Sequence, residues 1–214
     1  MIKAVIFDMD GTLIDTEKYY RIFWPKALAQ FGYDMSDEQA LSMRSLGHPY
    51  AAQHLQDMFD DPNLDYETIR ACRRRIMEDY LKNVEIELKP GVIQILTYLK
   101  EKNIHRAIST ANDIERARKY LKEIGLADYF DKVICAPMVE HGKPAPDVYE
   151  YACSQLQLPP EECIAVEDSP NGVKSAYAAG CKVVMVPDLT QPDDELKEML
   201  YACVARIDDI IRLV

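Results

Sequence analysis

The chain has 214 residues, a length that fits one sizeable domain or one domain that carries an insertion. Its formal net charge of −11 argues against nucleic acid or an anionic membrane surface as a partner. No stretch approaches the ~20 apolar residues of a membrane span, and no basic region precedes an apolar one at the N-terminus, so we expect no signal peptide. The six scattered cysteines form no Cys-x-x-Cys pair, which favours reduced thiols in a cytoplasmic protein.

The first predicted strand, Ala4 to Phe7, is followed by a long block that contains no convincing strand. Hydrophobic periodicity and turn residues predict four helices in this block, over Glu17 to Gln30, Ser36 to Met43, Tyr50 to Phe59 and Tyr66 to Leu81. A helical block of this size indicates a separate all-helical subdomain over residues 16–84, inserted into an α/β core of residues 1–15 and 85–214. The run Arg73-Arg74-Arg75 in the last helix is interpreted as a solvated face.

After this block, helices and strands alternate to the end of the chain. The predicted elements are, in order, a helix over Val92 to Glu101, a strand over Arg106 to Ser109, a helix from Asn112 to Gly125, a strand over Lys132 to Cys135, a helix over Asp147 to Gln157, a strand over Cys163 to Val166, a helix from Ser169 to Gly180, and a strand over Lys182 to Val186. Such alternation predicts a Rossmann-like, doubly wound parallel sheet with helices on both faces.

Side chains suited to phosphate chemistry follow four of the predicted strands. They are Asp8 and Asp10, then Ser109 and Thr110, then Lys143, and then Glu167 and Asp168. Because ligands bind at the carboxyl ends of the strands in open parallel sheets, we expect these side chains to converge. Two neighbouring carboxylates repel each other, and a hard cation such as Mg2+ would relieve that repulsion. The set fits phosphoryl transfer, in which a carboxylate attacks phosphorus and forms an aspartyl-phosphate.

Four segments resemble, in order, the four motifs of the haloacid dehalogenase superfamily. They are Asp8-Met9-Asp10-Gly11-Thr12-Leu13, Ser109, Lys143-Pro144-Ala145-Pro146-Asp147 and Glu167-Asp168-Ser169. The inserted helices are similar to the cap of the subgroup that includes sugar-phosphate phosphatases and β-phosphoglucomutases. The resemblance covers nearly the whole chain and implies a Rossmann-like core, an all-helical cap and Mg2+ as the cofactor.

The resemblance also implies a role for each core residue. Asp8 would be the nucleophile, and Asp10 would be the general acid and then the general base. Ser109 would hydrogen-bond the transferring phosphoryl oxygens, and Lys143 would neutralise charge beside them. The implied metal ligands are Asp8, the Asp10 backbone carbonyl, Glu167 and Asp168. An acid at position 10 favours a phosphate ester over a halide as the substrate, since a halide leaving group needs no proton.

Substrate selectivity is expected to come mainly from the cap. The candidate substrate-binding residues are Tyr20, Arg44, His48, Thr110 and Asn112. In β-phosphoglucomutases the corresponding cap loop carries an Arg that grips a second phosphate, and the first cap helix carries a His; this chain has His48 and Tyr20 there. The difference argues against a mutase, although Arg44 could partly substitute. Asn112 is also a candidate cap for the helix that follows it.

The predicted function is therefore a Mg2+-dependent phosphatase that acts on a small phosphorylated metabolite, with no nucleic acid, membrane or protein partner indicated. Two alternatives stay open. One is a sugar-phosphate mutase, and the other is a non-catalytic interaction protein on the same fold. The intact set of carboxylates argues against the second alternative.

Overall fold

Six parallel strands form a single sheet in the computed structural model, which describes residues 1–214. In chain order the strands are β1 (Ala4–Phe7), β2 (His105–Thr110), β3 (Lys132–Cys135), β4 (Cys163–Glu167), β5 (Lys182–Met185) and β6 (Leu200–Cys203). Their spatial order is β3-β2-β1-β4-β5-β6, and each neighbouring pair is parallel. The connection reverses direction between the neighbours β1 and β4, which is where ligands bind in sheets of this kind. The predicted Rossmann-like, doubly wound α/β architecture is confirmed.

Nine α-helices accompany the sheet. They are α1 (Glu17–Ala29), α2 (Asp37–Ser42), α3 (Tyr50–Phe59), α4 (Tyr66–Leu81), α5 (Val92–Glu101), α6 (Ile114–Glu123), α7 (Asp147–Leu156), α8 (Pro170–Ala178) and α9 (Asp194–Met199). The longest, α4, has 16 residues. None of the helices combines the length and the apolar character that crossing a membrane requires.

Helices cover both faces of the sheet, which explains why β1 is apolar and buried over its whole length. Val5 and Phe7 point to one face and join a cluster with α5 and α6. Ala4 and Ile6 point to the other face and join a cluster with α7, α8 and α9. The side chains alternate between the faces because successive residues of a strand point in opposite directions. The centre of the sheet is therefore rigidly packed, and it holds the end of β1 in place.

Helices α1 to α4 pack around a hydrophobic cluster of their own. Its buried members include Trp24 and Leu28 of α1, Leu55 of α3 and Ile69 of α4. None of these residues belongs to either of the clusters on the sheet. This separate core supports the division proposed from the sequence, in which residues 16–84 form a cap and residues 1–15 with 85–214 form the core domain; the boundaries stay a proposal.

Two local features differ from the sequence-based prediction. The edge strand β6 was not predicted; it pairs with β5, and its residues are only partly buried. The cap of α6 is Asp113 and not Asn112, since the Asp113 carboxylate accepts a hydrogen bond from the backbone N–H of Arg116 at 2.9 Å. The cap assignment for Asn112 is thus wrong, and its side-chain amide is free to make the contacts described below.

Candidate active site

Three carboxylates meet at the carboxyl ends of β1 and β4. Asp8 directly follows β1, Glu167 is the last residue of β4, and Asp168 comes next. Because Phe7 pairs with Val166 in the parallel register, Asp8 and Glu167 leave the sheet side by side. One oxygen from each of the three carboxylates lies within 4.8 Å of the other two, and all three residues are buried. We call Asp8, Glu167 and Asp168 the acidic trio.

Lys143 supplies a buried positive charge to the acidic trio. Its Nζ donates hydrogen bonds to Asp8 Oδ1 at 2.6 Å, to Glu167 Oε1 at 2.6 Å and to the backbone carbonyl of Ser109 at 3.0 Å. Although burial opposes the shift, Asp8 and Glu167 raise the pKa of Lys143. The Tyr149 hydroxyl donates a further hydrogen bond to Glu167 Oε1 at 2.5 Å. Lys143 therefore stays protonated and fixes the position of the nucleophile candidate.

The acidic trio has the chemistry of a site for a divalent cation. Burial, together with the nearby carboxylates, raises the pKa of Asp8 well above its usual range. Burial raises the pKa of Asp168 to about 7, although the Arg44 guanidinium opposes the shift. Asp8 Oδ2 is buried and has no hydrogen-bond partner. A cluster of hard oxygen donors with surplus negative charge and an unsatisfied oxygen fits Mg2+.

Two glycines have no side chain at positions where a Cβ would collide with the carboxylates of the acidic trio. Gly11 has a φ of +86°, and a Cβ at this position would collide with the Asp168 carboxylate. A Cβ at Gly172, in the first turn of α8, would collide with the carboxylate of Glu167. Ser169 caps the same helix through the backbone N–H of Gly172 at 3.1 Å, as the sequence predicts. The glycine in the first motif was singled out from the sequence, whereas Gly172 was not.

Asp10 is not a member of the acidic trio, but it lines a cleft together with Asp8. The Thr16 hydroxyl donates to Asp10 Oδ1 at 2.5 Å, and the Asn112 amide donates to Asp10 Oδ2 at 2.5 Å. Thr110 Oγ1 in turn accepts hydrogen bonds from the backbone and side chain of Asn112, both at 3.2 Å. Asp10 is thus oriented by two donors beside Asp8, in a place suited to exchanging a proton with a bound ligand.

Ser109 and Thr110 end β2 and are both buried. Ser109 Oγ has no hydrogen-bond partner, which leaves it able to donate to a phosphoryl oxygen. Thr110 Oγ1 accepts from Asn112, and neither Ser109 nor Thr110 is among the residues that line the cleft. Thr110 therefore positions Asn112 through these hydrogen bonds. A direct contact between Thr110 and the substrate stays a prediction.

A cavity of about 340 Å³ lies between Asp8, Asp10 and Asn112 on one side and the cap helices on the other. Six of the cap residues that line it are Glu17, Tyr20, Trp24, Arg44, His48 and Arg73. The Tyr20 hydroxyl donates to Asn112 Oδ1 at 3.2 Å, which joins α1 to the end of β2. The cap loop also contacts the core through its backbone, since the Gly47 N–H donates to the Lys143 carbonyl at 2.8 Å and the Gly142 N–H to the His48 carbonyl at 2.7 Å. The cap thus closes over Asp8 and Asp10.

Arg44 reaches from the cap loop into the acidic trio. Its guanidinium pairs with the Asp168 carboxylate, lies 3.5 Å from Glu17 Oε2, and donates to Thr190 Oγ1 at 3.0 Å. Burial and the nearby Asp168 and Asp10 raise the pKa of Glu17, although Arg44 opposes this. Arg44 therefore connects the cap to a candidate metal ligand, and its predicted contact with substrate stays a prediction.

Several site residues were not found from the sequence. They are Tyr149, Glu17, Arg73 and Arg116. Arg73 is buried, so the interpretation of the arginine run as a solvated face is wrong for this residue. A signal for it existed, because Arg73 lies in helical spacing with the buried residues Ile69 and Met77 of α4. The contact between Tyr149 and Glu167 has no comparable signal, since it depends on how α7 docks on the sheet.

Comparisons with known proteins place the chain in a family. A family model described as haloacid dehalogenase-like hydrolase matches residues 5–186. A phosphorylated carbohydrates phosphatase of Thermotoga maritima is 29% identical over 187 residues, which cover 84% of this chain and 82% of that protein. A probable pseudouridine-5'-phosphatase of Saccharomyces cerevisiae is 34% identical over 202 residues, which cover 87% of this chain and 83% of that protein.

The fold is likewise shared with a solved structure. The β-phosphoglucomutase of Clostridium difficile superposes with a TM-score of 0.83 at 22% identity, covering 98% of this chain and 93% of that chain. At this identity the likeness shows the fold alone. The family model, however, spans all four of the motif segments around Asp8, Ser109, Lys143 and Glu167. The chain belongs to the haloacid dehalogenase-like hydrolases.

Proposed function

We propose that the protein is a Mg2+-dependent phosphatase that hydrolyses a small phosphorylated metabolite, a sugar phosphate or a similar phosphomonoester. One observation carries this proposal: Lys143 fixes one oxygen of Asp8 while the other oxygen is buried without a partner, and Asp8 shares a closed cleft with Asp10. The relatives named as phosphatases of phosphorylated carbohydrates and of pseudouridine-5'-phosphate support the same reaction class.

In the proposed reaction, Asp8 attacks the phosphorus of the ester and the bond from phosphorus to the leaving oxygen breaks. Protonated Asp10 gives its proton to that oxygen, and the alcohol departs. Asp10 then takes a proton from a water molecule, which attacks the aspartyl-phosphate and releases inorganic phosphate and free Asp8. Lys143 holds Asp8 in place, and Ser109 Oγ donates to a phosphoryl oxygen.

The groups that would hold Mg2+ are the carboxylates of Asp8, Glu167 and Asp168, together with the Asp10 backbone carbonyl. When bound, the cation would neutralise the charge of the phosphate that Asp8 attacks. The protein's own contribution is to keep these oxygens together, with Lys143 on one side and Arg44 on the other. The raised pKa values of Asp8 and Asp168 support this assignment, since a cation would favour their charged forms.

On the substrate side, we propose that Tyr20 and Asn112 contact the leaving group. They are hydrogen-bonded to each other, and Asn112 also contacts Asp10, so they lie next to the oxygen that Asp10 would protonate. His48 lines the wall of the cleft on the cap side and is proposed as a further contact.

A panel of phosphate esters, with release of inorganic phosphate as the readout, tests the proposed function. We expect hydrolysis of at least one small ester with Mg2+ and none with EDTA. Asp8→Asn should abolish the activity, whereas Asp128→Asn, at an exposed position outside the cleft, should keep it. Hydrolysis that survives Asp8→Asn would show that the mechanism is wrong.

A sugar-phosphate mutase is the second candidate. The observation that favours it is the basic lining of the cleft, which includes Arg70 and Arg73 of the cap and Arg116 of α6. Incubation with β-glucose 1-phosphate separates the two reactions. Stoichiometric release of phosphate supports the phosphatase, and conversion to the 6-phosphate without release supports the mutase.

A further inference from the structure

Arg73 is a buried arginine in the part of the cleft wall that the cap forms. It lies in α4, and only 6% of the residue is exposed. Its guanidinium carbon lies 4.8 Å from the ring centroids of both Tyr20 and Trp24. The side chain lines the same cavity as Asp8 and Asp10. The two aromatic rings hold the guanidinium in a defined place within reach of a ligand.

Arg73 differs from the other arginines of the cleft because it has no carboxylate partner. Arg70 pairs with Glu67 at 3.4 Å, and Arg116 pairs with Glu78 at 2.9 Å. Arg74 and Arg44 also form ion pairs with acidic side chains. For Arg73 the recorded polar contact is with Met77 Sδ at 3.8 Å, and its buried Nε has no hydrogen-bond partner.

A buried, unpaired guanidinium is costly for the protein to maintain. Burial lowers the pKa of Arg73, and the neighbouring Arg116 guanidinium lowers it further. The faces of Tyr20 and Trp24 attract the cation, but they offset only part of the lost hydration. The protein itself therefore supplies Arg73 with too little negative charge, and an anion carried by a ligand would supply the rest.

We propose that Arg73 binds a second anionic group of the substrate, a distal phosphate or a carboxylate, while Asp8 attacks the first phosphate. This inference deepens the proposed function and rests on it. Arg73 stacks on Tyr20, Tyr20 donates a hydrogen bond to Asn112, and Asn112 donates one to Asp10, so a chain of contacts connects the proposed anion site to the proton-transfer residue. The cavity of about 340 Å³ is of a size that takes a small metabolite. The substrate class is thus a sugar bisphosphate or a phosphorylated sugar acid.

The position of Arg73 also bears on the arginine that is missing from the cap loop. His48 occupies the place where a loop arginine was expected for a substrate with two phosphates, and Arg44 is engaged with Asp168. Helix α4 provides a guanidinium to the same cleft from a different element. The missing loop arginine therefore does not exclude a doubly anionic substrate.

Matched pairs of substrates test the proposal by their kcat/KM for phosphate release. One pair is glucose 1,6-bisphosphate and glucose 1-phosphate, and the other is 6-phosphogluconate and sorbitol 6-phosphate. We expect wild type to prefer the more anionic member of at least one pair. A preference in the first pair alone identifies a distal phosphate as the ligand of Arg73, and a preference in the second pair alone identifies a carboxylate.

Substitutions of Arg73 then show whether this residue causes the preference for the more anionic substrate. Arg73→Met should reduce the preference about 10- to 100-fold, mainly through KM, because a hydrogen-bonded ion pair to the distal group is lost. Arg73→Lys should keep part of the preference, since it keeps the charge but not the planar donor set. Arg75→Met is the matched control, because Arg75 is exposed on the same helix and does not line the cleft. It should leave the preference unchanged.

Four results would overturn the proposal. The first is the absence of a preference in both pairs, and the second is an equal loss of kcat/KM for both members of a pair in Arg73→Met. The third is the same loss of preference in Arg75→Met. The fourth is a preference for uridine 5'-monophosphate over both doubly anionic substrates. If no ester at all is hydrolysed, the proposed function fails, and calorimetric binding to Asp8→Asn protein with Mg2+ decides this inference separately. The proposal is supported if the more anionic member of at least one pair binds more tightly and if this difference is lost when Arg73→Met is combined with Asp8→Asn. Equal binding within both pairs refutes it.

Discussion

Replacing Lys143 by Met should destabilise the fold and make its stability depend on Mg2+. Lys143 is 1% exposed and donates to Asp8 and Glu167, both at 2.6 Å. Met retains most of the volume of the side chain but removes its charge and both hydrogen bonds. Because the two carboxylates then stay buried without this partner, we expect the free energy of unfolding to fall by about 3–5 kcal/mol in the absence of divalent cations.

The loss should also depend on pH in a defined direction. Burial already raises the pKa of Asp8 and of Asp168, the latter to about 7, and the loss of Lys143 would raise the pKa of Asp8 further. A carboxyl group with a higher pKa in the folded state binds protons more tightly there, so the stability of the variant rises as the pH falls. The destabilisation should be greatest at pH values above the raised pKa of Asp8 and should shrink as the pH falls toward about 4, the unfolded value.

Urea unfolding followed by circular dichroism measures these effects, with EDTA and with millimolar Mg2+, at about pH 8 and about pH 5.5. Mg2+ should stabilise Lys143→Met more than wild type, since a cation bound by the acidic trio replaces the lost positive charge. Lys174→Met is the control, because Lys174 has 43% of its side chain exposed and forms only a surface pair with Glu195. Equal stability of Lys143→Met and wild type in EDTA at the higher pH would refute the reasoning.

Two glycine contacts are each sensitive to a single methyl group. Gly172→Ala would place a Cβ against the Glu167 carboxylate, and we expect urea unfolding to show a loss of about 1–3 kcal/mol; an unchanged midpoint would contradict the packing described. Gly47→Ala would place a Cβ 2.6 Å from Gly142 Cα, so the cap loop must withdraw from the core and lose two backbone hydrogen bonds. We expect kcat/KM to fall roughly 10-fold or more, with a similar loss for Gly142→Ala. Full activity in both variants would show that this contact is not needed for closure.

The sequence predicted the central strands and the long helices well because their signals are local. β1 is a continuous apolar run that ends in charged residues, and α4 (Tyr66–Leu81) has the bounds that periodicity predicts. The core of the site was predictable for a related reason, since Asp8 and Glu167 directly follow buried strands and parallel strands end at one edge. Edge strand β6 gave no such signal, because its partly exposed residues become a strand only beside β5.

Contacts between distant elements were not predictable from local patterns. Arg44 pairs with Asp168 across 124 positions of the chain, and the choice of this partner depends on how the cap loop docks on the core. Arg73 shows a different limit, because a charged residue on the buried stripe of a helix was interpreted by its charge and not by its spacing. Residues whose chemistry conflicts with their position in a helix are therefore the ones to examine first for a role in binding.

The central claim is that Asp8 accepts the phosphoryl group. Brief reaction with a hydrolysed ester, acid quenching and borohydride reduction would convert a phosphorylated Asp8 into homoserine, which peptide mass spectrometry detects. The account predicts homoserine at position 8 in wild type and no signal without substrate. Rapid turnover with no modification at Asp8, or with the phosphoryl group on another residue, would contradict it.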